Sequence, residues 1–570
     1  MALRSFLSAC FRKLSGIFSK LSSDLGSIFF KSPCSPWQPW GVFLLISFLS
    51  RFPYFFHGDI DWDESTFILL GQSVLDGHLP YTDVLDVKPP LLWYGFAALI
   101  FLGGKTFLGV RTLGTIVVTT IAYFSYRVAE HLWGSKTAWI AGFSWIVLIS
   151  LAAGGQAVIS EHLALLFLGA SFMILVIYPQ GLISFFSAGV LMAMAVLIRL
   201  NLAYTAVCVG LYFLIRIFTQ NDRYSVEPLS IQRKKRGLEL LAFSLGGFSI
   251  LVIIILPYVL TQNLPLFYTG FIRASLSYTE QHSILVVLWS QFQKVIFLRL
   301  SVAAIVLSVL IFWALGVHGR WVWQHRQVLN SVQNPTQLHF YSLIAVFILS
   351  IQLSILRTGV FYSHYNIQFL FFISLLVAKP IEQIVDRSET SSKSLTKWLN
   401  SYLNFSLICV LLKYLFEYSF ILSLWINNGT PFYGASFYIA KVIQEQQLEG
   451  DPLWIQTNHL AYWLTDSPPV TPGVVHPSII HKPFLLKAWY GEQASTLTEL
   501  QKIIDRQPAL IVSDGAIETY FQSNPEAQIL LDTFMDQNYQ LLNYRYRDLR
   551  FYRHQPHQTS IPSIDWASIH

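Results

Sequence analysis

Between Asp59 and Tyr94 the chain reads DIDWDESTFILLGQSVLDGHLPYTDVLDVKPPLLWY, placing Asp59, Asp61, Asp63, Glu64 and Asp86 close to Lys88. Only 12% of the 570 residues are charged, so this concentration stands out. Ionisable groups held against hydrocarbon are costly and mark sites that bind or react. A carboxylate can take a proton from an incoming nucleophile, and a neighbouring cation can hold an anionic leaving group. Such a cation gains strength where water is partly excluded and the dielectric is low.

Further polar residues stand at the ends of apolar runs later in the chain. Arg111 opens the next run, Ser160-Glu161-His162 opens another, and Arg199-Leu200-Asn201 follows a third. Arg273, Tyr278 and Glu280 lie in a later connection, and Arg357 precedes His364-Tyr365-Asn366-Ile367-Gln368. Each has an ordinary structural reading beside the chemical one. Asp63-Glu64 and Glu161 suit the negative start of a helix, and Asp61 or Asp63 suits an N-cap. Arg199 and Arg357 suit snorkelling cations, His364 an interfacial histidine. Asp59 and Asp61 form an Asp-x-Asp pair that a divalent cation could use, but two carboxylates make a thin ligand set. No metal and no cofactor is predicted.

The elements that position these residues are membrane helices. Hydrophobic residues make up 54% of the chain and mean hydropathy is +0.49. Soluble domains carry about 25% charged residues, so this is a polytopic membrane protein. Its net charge of +6 lies in loops between spans, where it reports topology and not nucleic-acid binding. The four cysteines offer neither a disulfide framework nor a zinc spacing.

Apolar runs predict about eleven spans, near 37–56, 109–131, 137–153, 162–178, 181–198, 200–217, 238–259, 296–316, 339–356, 364–379 and 402–425. The apolar stretch from Lys88 to Gly104 is short and opens with Pro89-Pro90, which suits a surface or re-entrant helix. With the N-terminus in the cytoplasm, the basic connections 216–236, 318–326 and 379–397 all face inward. The acidic loop 57–108 and everything after about 425 then face outward. Residues 1–36 read as a basic amphipathic cytoplasmic segment. Residues 37–425 form the membrane domain, 426–555 a small extracytoplasmic α/β domain, and 556–570 a disordered tail. Strands are expected at 453–457 and 509–513, with a hairpin of 539–546 and 549–553.

Asp63-Glu64, Gly77-His78-Leu79-Pro80-Tyr81, Lys88-Pro89-Pro90-Leu91 and Arg111, in that order, resemble the first outer loop of C-type (GT-C) glycosyltransferases. The likeness is to the protein O-mannosyltransferase and lipid A aminoarabinose transferase branch. Glu161 stands where that family usually has a second Asp, Arg199 where it has a phosphate-binding Lys or Arg. His364-Tyr365-x-x-Gln368 resembles its His-Tyr-x-x-Gln motif, without the prolines common after it. The resemblance implies a GT-C fold and an inverting transfer from a polyprenyl-phosphate sugar to an acceptor hydroxyl on the extracytoplasmic side of the inner membrane. Asp63, Glu64 and Glu161 would be catalytic, and Lys88, Arg111 and Arg199 would bind the donor phosphate. His162, Asn201, Arg273, His364, Tyr365 and Gln368 are candidate substrate contacts. The implied partners are the lipid bilayer, the polyprenyl-linked sugar and an acceptor lipid, glycan or protein. Two other functions compete: a transporter or flippase of lipid-linked sugars, and a polymerase or ligase of surface polysaccharide. A transporter is expected to carry charge near mid-membrane in broken helices.

Overall fold

The computed structural model describes residues 35–219, 228–277, 283–296, 316, 335–358, 361–390, 394–476, 479–514, 521 and 524–555. The basic segment before residue 35, all but the two end residues of the span expected at 296–316, the connection 318–326, Tyr278, Glu280 and the tail 556–570 lie outside them. The chain divides into two units.

The first unit comprises residues 1–55, 108–253 and 280–423, and its described elements are helices. Among the described residues of the whole chain, eight helices are long and apolar enough to cross a bilayer. The spans expected at 137–153 and 181–198 are the 17-residue helices Ser135–Leu151 and Leu182–Ile198. At 1.5 Å per residue each is about 26 Å long, just short of a typical hydrocarbon core. One helix runs unbroken from Leu229 to Leu260, so Arg233 to Arg236 sit in its first turns and not in a loop.

Close approach between these helices needs residues without side chains. A Cβ at Gly189 would lie 2.0 Å from the Phe243 carbonyl oxygen, and one at Gly246 2.1 Å from that of Phe186. Two glycines thus let the helices Leu182–Ile198 and Leu229–Leu260 touch backbone to backbone, a common device in apolar solvent. Elsewhere Phe172 contacts Phe340, Phe347, Phe371 and Phe372 edge to face, drawing together the helices Ser160–Ile177, Pro335–Thr358 and Ile367–Thr390.

The second unit comprises residues 56–107, 254–279 and 424–570, so the acidic loop folds with the C-terminal region. Helix Trp62–Leu75 packs against Pro90–Leu102, whose 13 residues are too few to cross a bilayer. The approach is tight at Gly71, where a Cβ would meet the Phe96 carbonyl carbon at 2.6 Å. Four strands form one sheet: β1 (Leu453–Ile455), β2 (Leu510–Asp514), β3 (Tyr539–Leu541) and β4 (Leu549–His554). Their order is β1-β2-β4-β3, with β1 and β2 parallel, Leu453 opposite Leu510. The unbroken apolar runs Leu-Trp-Ile and Leu-Ile-Val suit parallel strands covered on both faces. Trp454, Ile511, Leu500, Ile503 and Phe534 form the core beside the sheet.

The loop is fastened to this region throughout. Gly58 N donates to the Tyr433 carbonyl and Tyr433 N to that of Phe56, both at 3.0 Å, and the His57 ring stacks on Tyr433. Thr66 Oγ1 donates to the Val475 carbonyl (2.9 Å), and Leu85 N to that of Pro472 (3.0 Å).

Candidate active site

The conserved physics of helix starts places Asp63. Asp61 is the N-cap of helix Trp62–Leu75 and accepts from Asp63 N at 3.1 Å, so Asp63 and Glu64 fall in its first turn. Negative charge is favoured there by the helix dipole. Both side chains are nevertheless buried, with Glu64 1% exposed.

Lys88 is placed by the prolines that follow it. A residue before proline is held extended, and Pro90 opens the next helix at a position where no N–H is needed. Lys88 N donates to Asp86 Oδ1 (2.8 Å), and the Lys88 carbonyl accepts from Tyr81 Oη (2.7 Å). Tyr81 is buried and holds φ 74, a left-handed conformation unusual for a side chain of its size. The Lys88 ammonium then reaches Asp63 Oδ2 at 3.2 Å and lies 5.2 Å from the centre of the Phe67 ring.

His476 completes this group: its Nε2 lies 3.7 Å from Asp63 Oδ1. It follows the short helical turn Pro472–Val475, whose valines are buried. Sequence reasoning missed this histidine, which belongs to no motif and stands over 400 positions from Asp63. Asp86 is buried beside the group. Burial pushes its carboxyl above the usual range, and Lys88 and His476 pull it partly back. Asp63 thus sits between two nitrogen bases, with Asp86 behind Lys88.

In the first unit a second group forms around Glu161, which is fully buried in the first turn of helix Ser160–Ile177. Arg199 ends helix Leu182–Ile198 with an extended backbone (φ −144, ψ 98) that turns its side chain toward Glu161. Its Nη1 lies 2.5 Å from Glu161 Oε1 and donates to Ser160 Oγ at 2.9 Å. Ser160 Oγ donates in turn to Glu161 Oε2 (3.0 Å). His364 Nε2 stands 3.7 Å from Glu161 Oε1, and the Arg199 guanidinium lies 4.6 Å from the Tyr365 ring centre. Asn201 Nδ2 donates to Gln368 Oε1 (2.9 Å) and to Ser354 Oγ (3.0 Å). Arg199 Nε is buried with no hydrogen-bond partner among the described residues. A guanidinium with a vacant N–H and an aromatic floor is equipped to meet one more anion.

Arg111 and His162 are bonded to backbone. Arg111 is fully buried, and its Nη1 donates to the carbonyls of Tyr54 (3.0 Å) and Gln156 (3.1 Å). Arg51 donates to the carbonyls of Gly155, Gln156 and Ala157. His162 Nδ1 accepts from Ile159 N (3.4 Å), which puts its proton on Nε2, donating to the Gly155 carbonyl (3.1 Å). Three side chains thereby fix residues 155–159, the turn that delivers Glu161. Arg273 stands apart: it pairs with Glu492 at 3.2 Å, both exposed.

No family model and no curated protein matches this chain. Solved structures do. ArnT from Cupriavidus metallidurans in the apo state is similar over 90% of this chain and 97% of that one, with TM-score 0.52 and 11% identity. The same protein bound to undecaprenyl phosphate gives TM-score 0.51 at 11% identity, over 90% and 96%. The oligosaccharyltransferase AglB from Archaeoglobus fulgidus is a looser likeness, at TM-score 0.42 and 11% identity over 93% and 75%. At such identity the likeness to ArnT is one of fold: this is a multi-pass membrane protein with a GT-C fold and a small C-terminal sheet.

Proposed function

We propose that the protein is a membrane glycosyltransferase that moves a sugar from a polyprenyl-phosphate donor to an acceptor hydroxyl on the extracytoplasmic side. The observation that carries this reading is the pairing Asp63–Lys88, a carboxylate and an ammonium 3.2 Å apart in a protein with the ArnT fold. Asp63 takes the proton of the acceptor hydroxyl, and that oxygen attacks the anomeric carbon. The carbon–oxygen bond to phosphate breaks, polyprenyl phosphate leaves, and the anomeric configuration inverts. Lys88 balances the charge that grows on the departing phosphate. Glu161 orients Arg199 and His364, while Arg111 and His162 hold the turn that carries Glu161. Glu64, in the same helical turn as Asp63, orients the acceptor, and in the first unit the vacant N–H of Arg199 is a donor contact beside the Asn201–Gln368 pair.

A strain lacking the gene tests the reading. Mass spectrometry of its surface lipids, glycans and proteins should show one hexose or pentose missing from a single product class. Unchanged products together with a lost flux of lipid-linked sugar across vesicle membranes would favour a transporter instead.

A further inference from the structure

The second unit contains a cleft of about 330 Å³ that the proposed chemistry does not use. Its size falls in the range of small-ligand pockets. Asp59, Trp62, Asn458, Asp514, Arg547 and Asp548 carry the polar and aromatic chemistry of its wall. Asn458 lies just past the carboxyl end of β1, and Asp514 ends β2, its parallel neighbour. Crevices outside the carboxyl ends of parallel strands are where open α/β sheets bind ligands.

Two of the carboxylates are held in place from behind. Asp59 accepts from Ser436 N (3.1 Å) and from the Ser436 hydroxyl at the start of helix Ala435–Glu445. Asp514 Oδ2 accepts from Thr457 Oγ1 at 3.0 Å. Trp62 is 42% exposed, an aromatic face offered to solvent. Tyr546, also on the wall, is stacked on Tyr438 with centroids 4.8 Å apart. Fixed acceptors beside flat aromatic surfaces suit a ring that carries several hydroxyls on its edge and C–H groups on its face.

Charge narrows the choice. Three carboxylates, Asp59, Asp514 and Asp548, line the cleft with the guanidinium of Arg547 and the imidazole of His57, a balance that disfavours a phosphate. Trp62, on the wall, and the buried Asp63 share the first turn of helix Trp62–Leu75 but point about 100° apart, so the cleft neighbours the proposed base and does not contain it. We propose that this cleft binds an uncharged or amino-bearing sugar of the acceptor, and not the phosphate-bearing donor. The assignment rests on the transferase reading, which supplies the reason for an acceptor sugar near the first turn of this helix.

The test uses the full chain in nanodiscs with cellobiose, glucosamine and glucose 1-phosphate as probes, read by saturation-transfer NMR. Cellobiose or glucosamine should receive saturation and glucose 1-phosphate should not. Trp62→Ala and Asp514→Asn should each lower the signal at least fivefold, with Asp548→Asn, at an exposed position, as the variant least able to disturb folding. Equal signals from glucose 1-phosphate, or full signals in Asp548→Asn and Asp514→Asn, would overturn the assignment. Donor turnover in the same preparations separates the two readings. Turnover by the wild type with no sugar bound removes only the cleft, whereas bound sugar with no turnover removes the transferase.

Discussion

Arg199 makes an ion pair, a hydrogen bond and an aromatic contact, all buried, and this fixes what its removal should do. Taking away one member of a buried pair strands the other charge, at a cost of about 3–5 kcal/mol. Glu161→Leu alone should therefore lower the thermal midpoint of the purified protein clearly. The double variant Glu161→Leu/Arg199→Met should recover most of that loss, because both charges go together, yet remain without transferase activity. Arg199→Lys keeps the charge but not the planar fork, and donor binding should weaken about tenfold or more. Titration of the donor against each variant checks this. The motif residues Glu161, Arg199, Asn201, His364, Tyr365 and Gln368 were legible in the sequence because each stands at the end of an apolar run, where only one rim of a bundle is available. The partners of Arg111 and His162 were not. They are backbone groups, the carbonyls of Tyr54, Gly155 and Gln156 and the N–H of Ile159, which carry no sequence signal, and His476 depends on how a short turn docks.

At the scale of elements, periodicity and length located the helices, because hydrocarbon leaves backbone groups no other partner. Lys88-Pro89-Pro90 likewise announced a short helix, Pro90–Leu102, with a cation held extended before it. The strands were also readable as apolar runs, and the expected hairpin is the β3–β4 pair, Tyr539 opposite His554. Helix contacts were not readable. Nothing in the sequence says that Gly189 meets the Phe243 carbonyl while other glycines meet nothing. Gly189→Val should thus force Leu182–Ile198 away from Leu229–Leu260 and destabilise the protein by about 1–3 kcal/mol. Gly210→Val, on the helix Ala203–Thr219 with open space around its Cα, should do far less. Thermal unfolding in detergent, measured side by side, distinguishes them.

For the molecule as a whole, the fold class follows from composition, but the grouping of the acidic loop with the C-terminal region does not. That grouping rests on single hydrogen bonds such as Thr66 to Val475, across 409 positions of sequence. It also carries a pH dependence through His459, a buried histidine whose pKa burial lowers from 6.5 to about 3. A depressed histidine favours the folded state fully above its unfolded value and loses that advantage as pH falls toward the folded one. The window is therefore about 6.5 down to 3, and the loss reaches about 2 kcal/mol by pH 5. His459→Phe should flatten this acid limb of the melting curve while leaving stability at pH 8 nearly unchanged. Hydrogen exchange of the β1 and β2 amides against pH reads it directly.

The proposed role of Asp63 is to drive a sugar off a polyprenyl phosphate, and one assay decides it. The purified full chain, given an undecaprenyl-phosphate-linked sugar and a membrane extract as acceptor source, should release undecaprenyl phosphate and form a glycosidic bond of inverted configuration. Asp63→Asn, folded and still binding donor, should be slower by about 10²–10⁴-fold. Transfer by Asp63→Asn at the wild-type rate, or a product that keeps the donor configuration, would contradict it.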